Sequence, residues 1–561
     1  MIQLSEFPIK TSKSRPQVSD NLSTSILLQA WFIRQTMAGV YNYTTLWLNI
    51  LRKIENIVRE EMNNYWASEI LLSWLSPMEV WKKTWRENIE EYFKVPTHKN
   101  KNYRLNPTHE EIVVPLMREF VNSYKDSNAC VYQIQTKYRN EKRAKSWLLR
   151  WREFIMKDAY SFHANQEDFE KYYEWMKKVY MKIFERLWLL KDTYITIADG
   201  WVFTDKFSHE FQTLLPIWED TIYIDEKTWE SFNQEVAPAK VWKTFTNTNE
   251  KQKEKKEVFW KWIIWVKDLA KFLDIEVERT TKTILFKTDT KETIAVAVRW
   301  DYDINEIKLR KIIWCKSLSL ISEEEVEKLT KSKVWYAWMI NLPENIKKYW
   351  DDSCEWRINF EMWANKTNYH IINLNFWKDL DVPEKFYDFK NAKTWDKNPK
   401  TNNIYRVEKA SEVWNIFPLE TKFSKPFSMK MLDKNNKEQD VIMWCYGIWV
   451  SRLMWVIAEY YMTDKWIDWP ENIAPADYYI IIIWEQNLEK ATKIAQKLES
   501  KWKIVILDDR MEKKVGFWQK AQDVELFWIP NRIIISENTL KKGGFELLER
   551  WKNSKIEKFI F

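Results

Sequence analysis

Between residues 132 and 163 the chain reads YQIQTKYRNEKRAKSWLLRWREFIMKDAYSFH. A strand-like run ends in Arg139 and Glu141, a basic loop follows, and a returning strand opens on Arg152, Glu153 and Phe154. A guanidinium is a planar donor fork that meets a carboxylate or phosphate with two parallel bonds, so arginines on adjoining strands suit the gripping of anions. Arg-x-Glu taken alone is equally the charge-paired face of an exposed hairpin. Three shorter stretches also carry reactive side chains. PTHEE at 107–111 holds Thr108 and Glu110, and Thr108 with Glu111 three residues on would also serve as a capped helix start. SHEF at 208–211 holds His209 and Glu210, and WCYGIWVSRLMWVIAE at 444–459 holds Arg452.

These residues need a scaffold of several domains, because 561 residues exceed what one core organises. LWLNILRKIENIVREEMNNY (46–65) spaces apolar residues by three and four and predicts an amphipathic helix, as does FEKYYEWMKKVYMKIFERLW (169–188). TFTNTNEKQKEKKE (244–257) reads as a solvated linker, and the polar NAKTWDKNPKTNN (391–403) closes a second α/β segment at 258–390. The C-terminal stretch alternates apolar strands (YYIIII, KIVIL, RIIIS) with helical segments, the pattern of a small parallel α/β domain. A net charge of +7 permits a polyanionic partner without demanding one. No apolar run approaches the roughly 18 residues of a membrane span and the N-terminus lacks an apolar signal core. Four scattered cysteines make neither a disulfide framework nor a zinc ribbon. A cytoplasmic protein with no membrane or DNA partner is expected.

The 132–163 stretch resembles motif 2 of class II aminoacyl-tRNA synthetases, and its continuation FIMKDAYSFH resembles the prolyl branch. The resemblance implies ATP, Mg²⁺, L-proline and tRNA(Pro) as cofactors and partners, and a homodimer. It implies that Arg139 bridges the amino-acid carboxylate and the α-phosphate, that Glu141 holds the adenine amino group, and that Phe154 stacks on adenine, with Arg152 also at the ATP. YRLNPTHEE resembles the family's substrate loop, where Thr108 and Glu110 receive the secondary ammonium of proline. His209 and Glu210 match a segment lining the same site, with a possible Mg²⁺ beside Glu210 carried by ATP and no metal held by protein alone. WCYGIWVSR resembles motif 3, which makes Arg452 the motif arginine.

Residues 258–390 resemble the editing insertion of bacterial-type prolyl synthetases through TTKTILFK, VRWDYDINEIKL, KVWYAWMINLPENI and MWANKTNYHIINLNFWKDL. Lys282 would anchor the tRNA terminus and His370 would lie in the pocket, shaped by the Trp335 to Met339 loop, where the family's proline is Met339. The tail resembles an anticodon-binding domain, with phosphate contacts from lysines and Arg532. The implied fold is an α+β class II catalytic domain, an antiparallel sheet with helices, interrupted by an α/β editing insertion and followed by an α/β anticodon-binding domain. Its expected bounds are 1–229 and 394–464 for the catalytic domain, 230–393 for the insertion and 465–561 for the tail. A threonyl-type enzyme is an alternative, but the zinc set of Cys and two His is not apparent. A noncatalytic tRNA-binding paralogue is another, which would be expected to lose Arg139, Glu141 or Arg452.

The composition is abnormal in one respect. Ordinary proteins contain about 7% glycine, about 39 in this length, whereas this chain has 6 glycines and 37 tryptophans. Trp444 and Trp449 stand at glycine positions of motif 3, and the same replacement recurs at Trp31, Trp47, Trp66, Trp147, Trp188, Trp218, Trp300, Trp335, Trp338, Trp363, Trp414, Trp466 and Trp528. Trp81 and Trp469 stand where the family itself has tryptophan. The pattern is what a gene that reads UGA as glycine yields when translated with a table that reads it as tryptophan. Two other departures are Ser73, where motif 1 has proline, and Glu420, where the family has glycine.

Overall fold

The computed structural model describes residues 1–7, 11–12, 14–16, 21–97, 102–141, 151–200, 203–204, 206–216, 220–242, 250–259, 266–331, 338–339, 342–355, 357–366, 368–511, 515–550 and 552–558. It forms two compact units, the first of residues 1–194, 200–219 and 410–561, the second of 195–199 and 220–409.

At the centre of the first unit, the strands Ala129–Tyr138 and Glu153–His163 pair antiparallel over ten residues, from Ala129 opposite Phe162 to Tyr138 opposite Glu153. Ile442–Ile448 adds antiparallel to Glu153–His163, and the unit's part of Arg406–Glu420 adds to Ile442–Ile448. Ser208–Leu214 completes that side. The sheet is covered on both faces, so from Phe154 onward nearly every residue of Glu153–His163 is buried, charged ones included. The helix Thr45–Asn64 buries Leu46, Trp47, Ile50, Leu51, Ile54, Ile57 and Val58, the stripe that its three- and four-residue spacing predicts. Gln166–Arg186 lays Tyr180 and Phe184 against Trp414 of the sheet.

The C-terminal part is a six-stranded sheet in which Val505–Asp508, Tyr478–Ile482 and Asn531–Ile535 are parallel, as expected, and Gly544–Glu549 and Lys555–Lys558 extend it antiparallel. Its remaining edge is Ile2–Gln3, parallel to Val505–Asp508 and held by Ser5, whose backbone N–H donates to Asp509 Oδ1 at 2.8 Å. The sequence gives no sign of this pairing across some 500 residues.

The second unit has a five-stranded mixed sheet around the hairpin Thr281–Thr288 and Thr293–Arg299. A three-stranded sheet of Lys256–Phe259, Tyr369–Leu374 and Phe360–Trp363 accompanies it. The lysine-rich run expected to be linker therefore ends inside a strand, because Lys256 and Glu257 pair with Ile372 and Ile371; residues 243–249 of that run lie outside the described residues. The polar 391–403 stretch is packed into the same unit. Asp396 and Asn398 are fully buried, and Asn398 Nδ2 donates to Asp225 Oδ2 at 2.8 Å.

Among the described residues, 21 non-glycine positions have positive φ, and nine are tryptophan: Trp31, Trp66, Trp85, Trp188, Trp229, Trp314, Trp377, Trp502 and Trp528, all at φ 56–67°. Seven of the nine follow a helix. At Trp66 the closing bonds are Trp66 N–H to Asn63 O and Ala67 N–H to Met62 O; at Trp188 they are Trp188 N–H to Glu185 O and Leu189 N–H to Phe184 O. This is the Schellman closure, whose left-handed residue is normally glycine because a Cβ there is penalised. Trp66, Trp314 and Trp502 are 85%, 93% and 95% exposed, so no packing offsets that penalty. Trp81, by contrast, is fully buried and its indole N–H donates to Ser76 Oγ at 2.7 Å.

Candidate active site

Arg139 sits just past Tyr138, the last residue of its strand, with its N–H bonded to Arg152 O at 2.9 Å. Phe154 faces inward on the returning strand and is 2% exposed. Arg452 lies in the first turn of the helix Val450–Tyr460, whose N-cap residue is Trp449. The Trp449 indole stacks on Phe154 with centroids 4.5 Å apart, and the Arg452 and Arg139 guanidinium carbons lie 4.2 and 4.7 Å from the indole centroid. One flat bicyclic ring, close to a purine in size, is thus held among an aromatic face and two cations. Gly447 supports this floor: a Cβ there would meet Met156 Cε at 2.3 Å and Asn415 Oδ1 at 2.7 Å.

Glu412 orders the arginines. Its carboxylate lies 3.3 Å from Arg452 Nη1, and its backbone O accepts from the same nitrogen at 2.9 Å. Burial holds the Arg139 guanidinium below its usual pKa, against the pull of Glu141 and Glu412. Arg152 donates to Glu141 O at 3.1 Å and Ala38 O at 2.9 Å, which braces the end of the hairpin.

Glu110 begins the helix Glu110–Met117 and is fully buried. The Thr108 hydroxyl donates to its Oε2, Arg86 Nη1 lies 3.6 Å from that oxygen, and Oε1 has no hydrogen-bond partner. Tyr92 lies within electrostatic reach of both Glu110 and Arg139. An anionic oxygen in a dry site without a donor carries a desolvation penalty, which a ligand N–H removes. On the strand Ser208–Leu214, Glu210 accepts from Gln212 Nε2 at 2.9 Å. His209 packs 5.3 Å from Tyr173, and burial, then Lys177, push its pKa down to about 4. Trp444 lies against the same Tyr173 and against Phe169, with centroids 4.8 and 4.2 Å apart.

The model of the class II tRNA synthetase core domain (G, H, P, S and T) matches residues 93–461. A proline–tRNA ligase of Sulfurihydrogenibium sp. is 38% identical over 551 residues, covering 97% of this chain and 95% of that relative. The chain belongs to the proline–tRNA ligase family. A second member, from Aquifex aeolicus, is 35% identical over 568 residues, covering 99% and 97%. Among solved structures, Giardia lamblia prolyl-tRNA synthetase in complex with prolyl-adenylate is similar in fold, with a TM-score of 0.55 at 15% identity over 95% of this chain and 74% of that one.

Relative to a proline–tRNA ligase reading of the sequence, the structure gathers Arg139, Phe154 and Arg452 around one slot and puts Thr108 and Glu110 in direct contact. Glu412, Tyr92 and Arg86 were missed. Glu412 carried a faint signal as a carboxylate inside the apolar run ASEVWNIF.

In the second unit, Lys282 Nζ pairs with Asp303 at 2.9 Å and lies 6.0 Å from the Trp300 ring. His370 is fully buried, its Nδ1 is 2.8 Å from Glu361 Oε1, and its Nε2 has no partner. Trp363 covers His370 at 4.1 Å, and Trp300 lies 6.1 Å from Trp363. Of the expected pocket loop only Trp338 and Met339 are described; residues 335–337 lie outside the described residues. The acidic group Asp351, Asp352 and Asp388 surrounds Lys390, whose ammonium takes the place of a metal ion and is 3.1 Å from Asp388 Oδ1.

Proposed function

We propose that this chain activates proline with ATP and transfers it to tRNA(Pro). The observation that carries the reading is the convergence of Phe154, Arg139 and Arg452 on one flat ring close to a purine in size. In the reaction the proline carboxylate oxygen attacks the α-phosphorus, the bond to the bridging oxygen breaks, and pyrophosphate leaves. A ribose hydroxyl at the tRNA 3′ end then attacks the prolyl carbonyl and AMP leaves. Arg139 offers two parallel donors to the two anions that must meet, and Arg452 holds the nucleotide from the opposite face. Glu110 Oε1 and Thr108 take the two N–H donors of the secondary ammonium, Glu141 the adenine amino group, and Arg152 steadies the hairpin over the ATP. The carboxylate of Glu210 suits a hard cation, and Mg²⁺ arriving with ATP would neutralise phosphate charge there.

This function requires glycine at 449, because the Trp449 indole fills the slot that adenine needs. Nine tryptophans in a left-handed conformation support glycine in the cell-made protein, as does the composition. Proline-dependent ATP–pyrophosphate exchange is the test, run on the full chain with glycine at 444 and 449 and on the chain with tryptophan there. Exchange is expected in the first and near loss in the second; exchange driven by threonine and not by proline would sink the assignment.

Residues 230–393 supply editing. Alanine fits any pocket that admits proline, and the missing methylenes yield only about 1–3 kcal/mol of discrimination. Glycine at 300 and 363 would open the space between Lys282 and the free Nε2 of His370, where an alanyl-tRNA 3′ end can be hydrolysed. In the chain with glycine at 300, 363, 444 and 449, His370→Ala should lose alanyl-tRNA(Pro) deacylation and keep proline exchange; undiminished deacylation refutes the role. The C-terminal sheet reads the anticodon, with Lys493, Lys497 and Lys501 lining a groove of about 440 Å³ beside Tyr478 and Phe545. Phosphate contacts come from such lysines and from Arg532, which is ion-paired with Glu525 as Lys493 is with Glu489. A homodimer acting in the cytoplasm completes the reading, and light scattering at working concentration tests the dimer.

A further inference from the structure

Beneath the Thr108 and Glu110 side chains lies a buried cluster that the chemistry above does not use. Lys137 Nζ is 2.7 Å from Asp158 Oδ1 and 2.5 Å from His109 Nδ1, and Lys137 and His109 are fully buried. Because the ammonium can only donate, His109 Nδ1 accepts and Nε2 carries the proton, which it gives to Ser73 O at 3.0 Å. The other side of Asp158 is equally engaged: Oδ2 accepts from Gln133 Nε2 at 3.0 Å and from the Tyr160 hydroxyl at 2.9 Å. That hydroxyl in turn accepts from the backbone N–H of His109 at 3.2 Å. His109 is therefore gripped by ring and backbone, and both grips end on Asp158.

Burial and the Lys137 charge hold the His109 pKa down to about 3, so the ring is neutral at working pH and the cluster's charges are those of Lys137 and Asp158. Glu110, Cys445 and Lys157 are the other ionisable groups within its reach. A buried ion pair adds little net stability over an apolar substitute, so its place under a ligand loop calls for another reason.

We propose that Asp158, acting through Lys137 and His109, is a positioning residue that fixes the Thr108–Glu110 segment and so sets how tightly the enzyme holds its imino acid. This rests on the reading of Thr108 and Glu110 as the groups that receive the proline ammonium. An anion shared by a lysine, a tyrosine and a glutamine leaves the ring of His109 one orientation, and the residues before and after it inherit that register.

The test compares Asp158→Asn, Lys137→Met and the double variant in the full chain with glycine at 444 and 449. Parent exchange is measured first; a parent without proline-dependent exchange refutes the function and not the positioning. The same variants are then compared by the shift in melting temperature that proline alone induces. Each single variant is expected to raise the KM for proline at least tenfold while the KM for ATP stays within twofold. The double variant has no lone buried charge, so it should melt near the parent and still show the raised KM for proline and a diminished proline-induced shift. It also decides the matter if a single variant fails to fold. KM values for proline and ATP rising together, or a double variant with the parental response to proline, overturns the proposal.

Discussion

Arg139 and Glu110 make opposite demands of one cleft, the first needing anions and the second an N–H donor, and each demand can be measured separately. Replacing Arg139 by alanine removes donors that act where charge meets, so exchange should fall about 10²- to 10³-fold. Glu110→Gln keeps the volume and removes the charge; a lost charge-assisted bond of about 1.5–3 kcal/mol corresponds to a KM for proline raised about 10- to 100-fold. Steady-state exchange kinetics separates these outcomes, because Glu110→Gln should leave the KM for ATP nearly unchanged. Arg139 and Phe154 were legible through the resemblance of the 132–163 stretch to motif 2, and the register of the hairpin brings them together. Glu412 was not legible, since its contact with Arg452 arises from the pairing of two strands some 30 residues apart. The unpartnered oxygen of Glu110 was likewise invisible, because burial is a property of the folded chain.

At the scale of elements, helix ends are the informative places. A residue with a Cβ in the left-handed region costs roughly 1–2 kcal/mol, and the exposed indoles of Trp66, Trp188 and Trp502 gain nothing in return. Changing each to glycine should stabilise the chain by about 1 kcal/mol, with the three gains adding, and thermal or urea melts read this directly. A loss of stability at all three would contradict the account. The helices themselves were readable from three- and four-residue apolar spacing, as in Thr45–Asn64. Their closures were hidden, because tryptophan carries none of the stop signal that glycine gives. The strand beginning at Lys256 was missed because Lys256 and Glu257 both face solvent and spoil the alternation on which strand reading depends.

For the whole molecule, buried His109 and His163 and half-buried His209 set the acid limit. The pKa values of His109 and His163 are held down to about 3 and that of His209 to about 4, mainly by burial, against 6.5 for the unfolded side chain. Between those values the unfolded chain binds more protons than the folded one, so stability is present in full above pH 6.5 and drains away as pH falls towards 3–4. Melting temperatures across pH 3–8 should show this slope, and His163→Phe should flatten part of it. The partition into two units, with residues 195–199 grouped with 220–409, was not legible, because it depends on contacts between segments distant in the chain.

The pairing of Ile2–Gln3 with Val505–Asp508 also imposes a schedule on biosynthesis. At roughly 5–20 residues per second the ribosome needs about 25–100 s to deliver the partner strand. Throughout that interval Ile2–Gln3 has no strand to dock on, and the sheet is finished only when Val505–Asp508 arrives. A chain stalled before that point therefore keeps Ile2–Gln3 unmatched, a mark that would distinguish it from chains that have passed it.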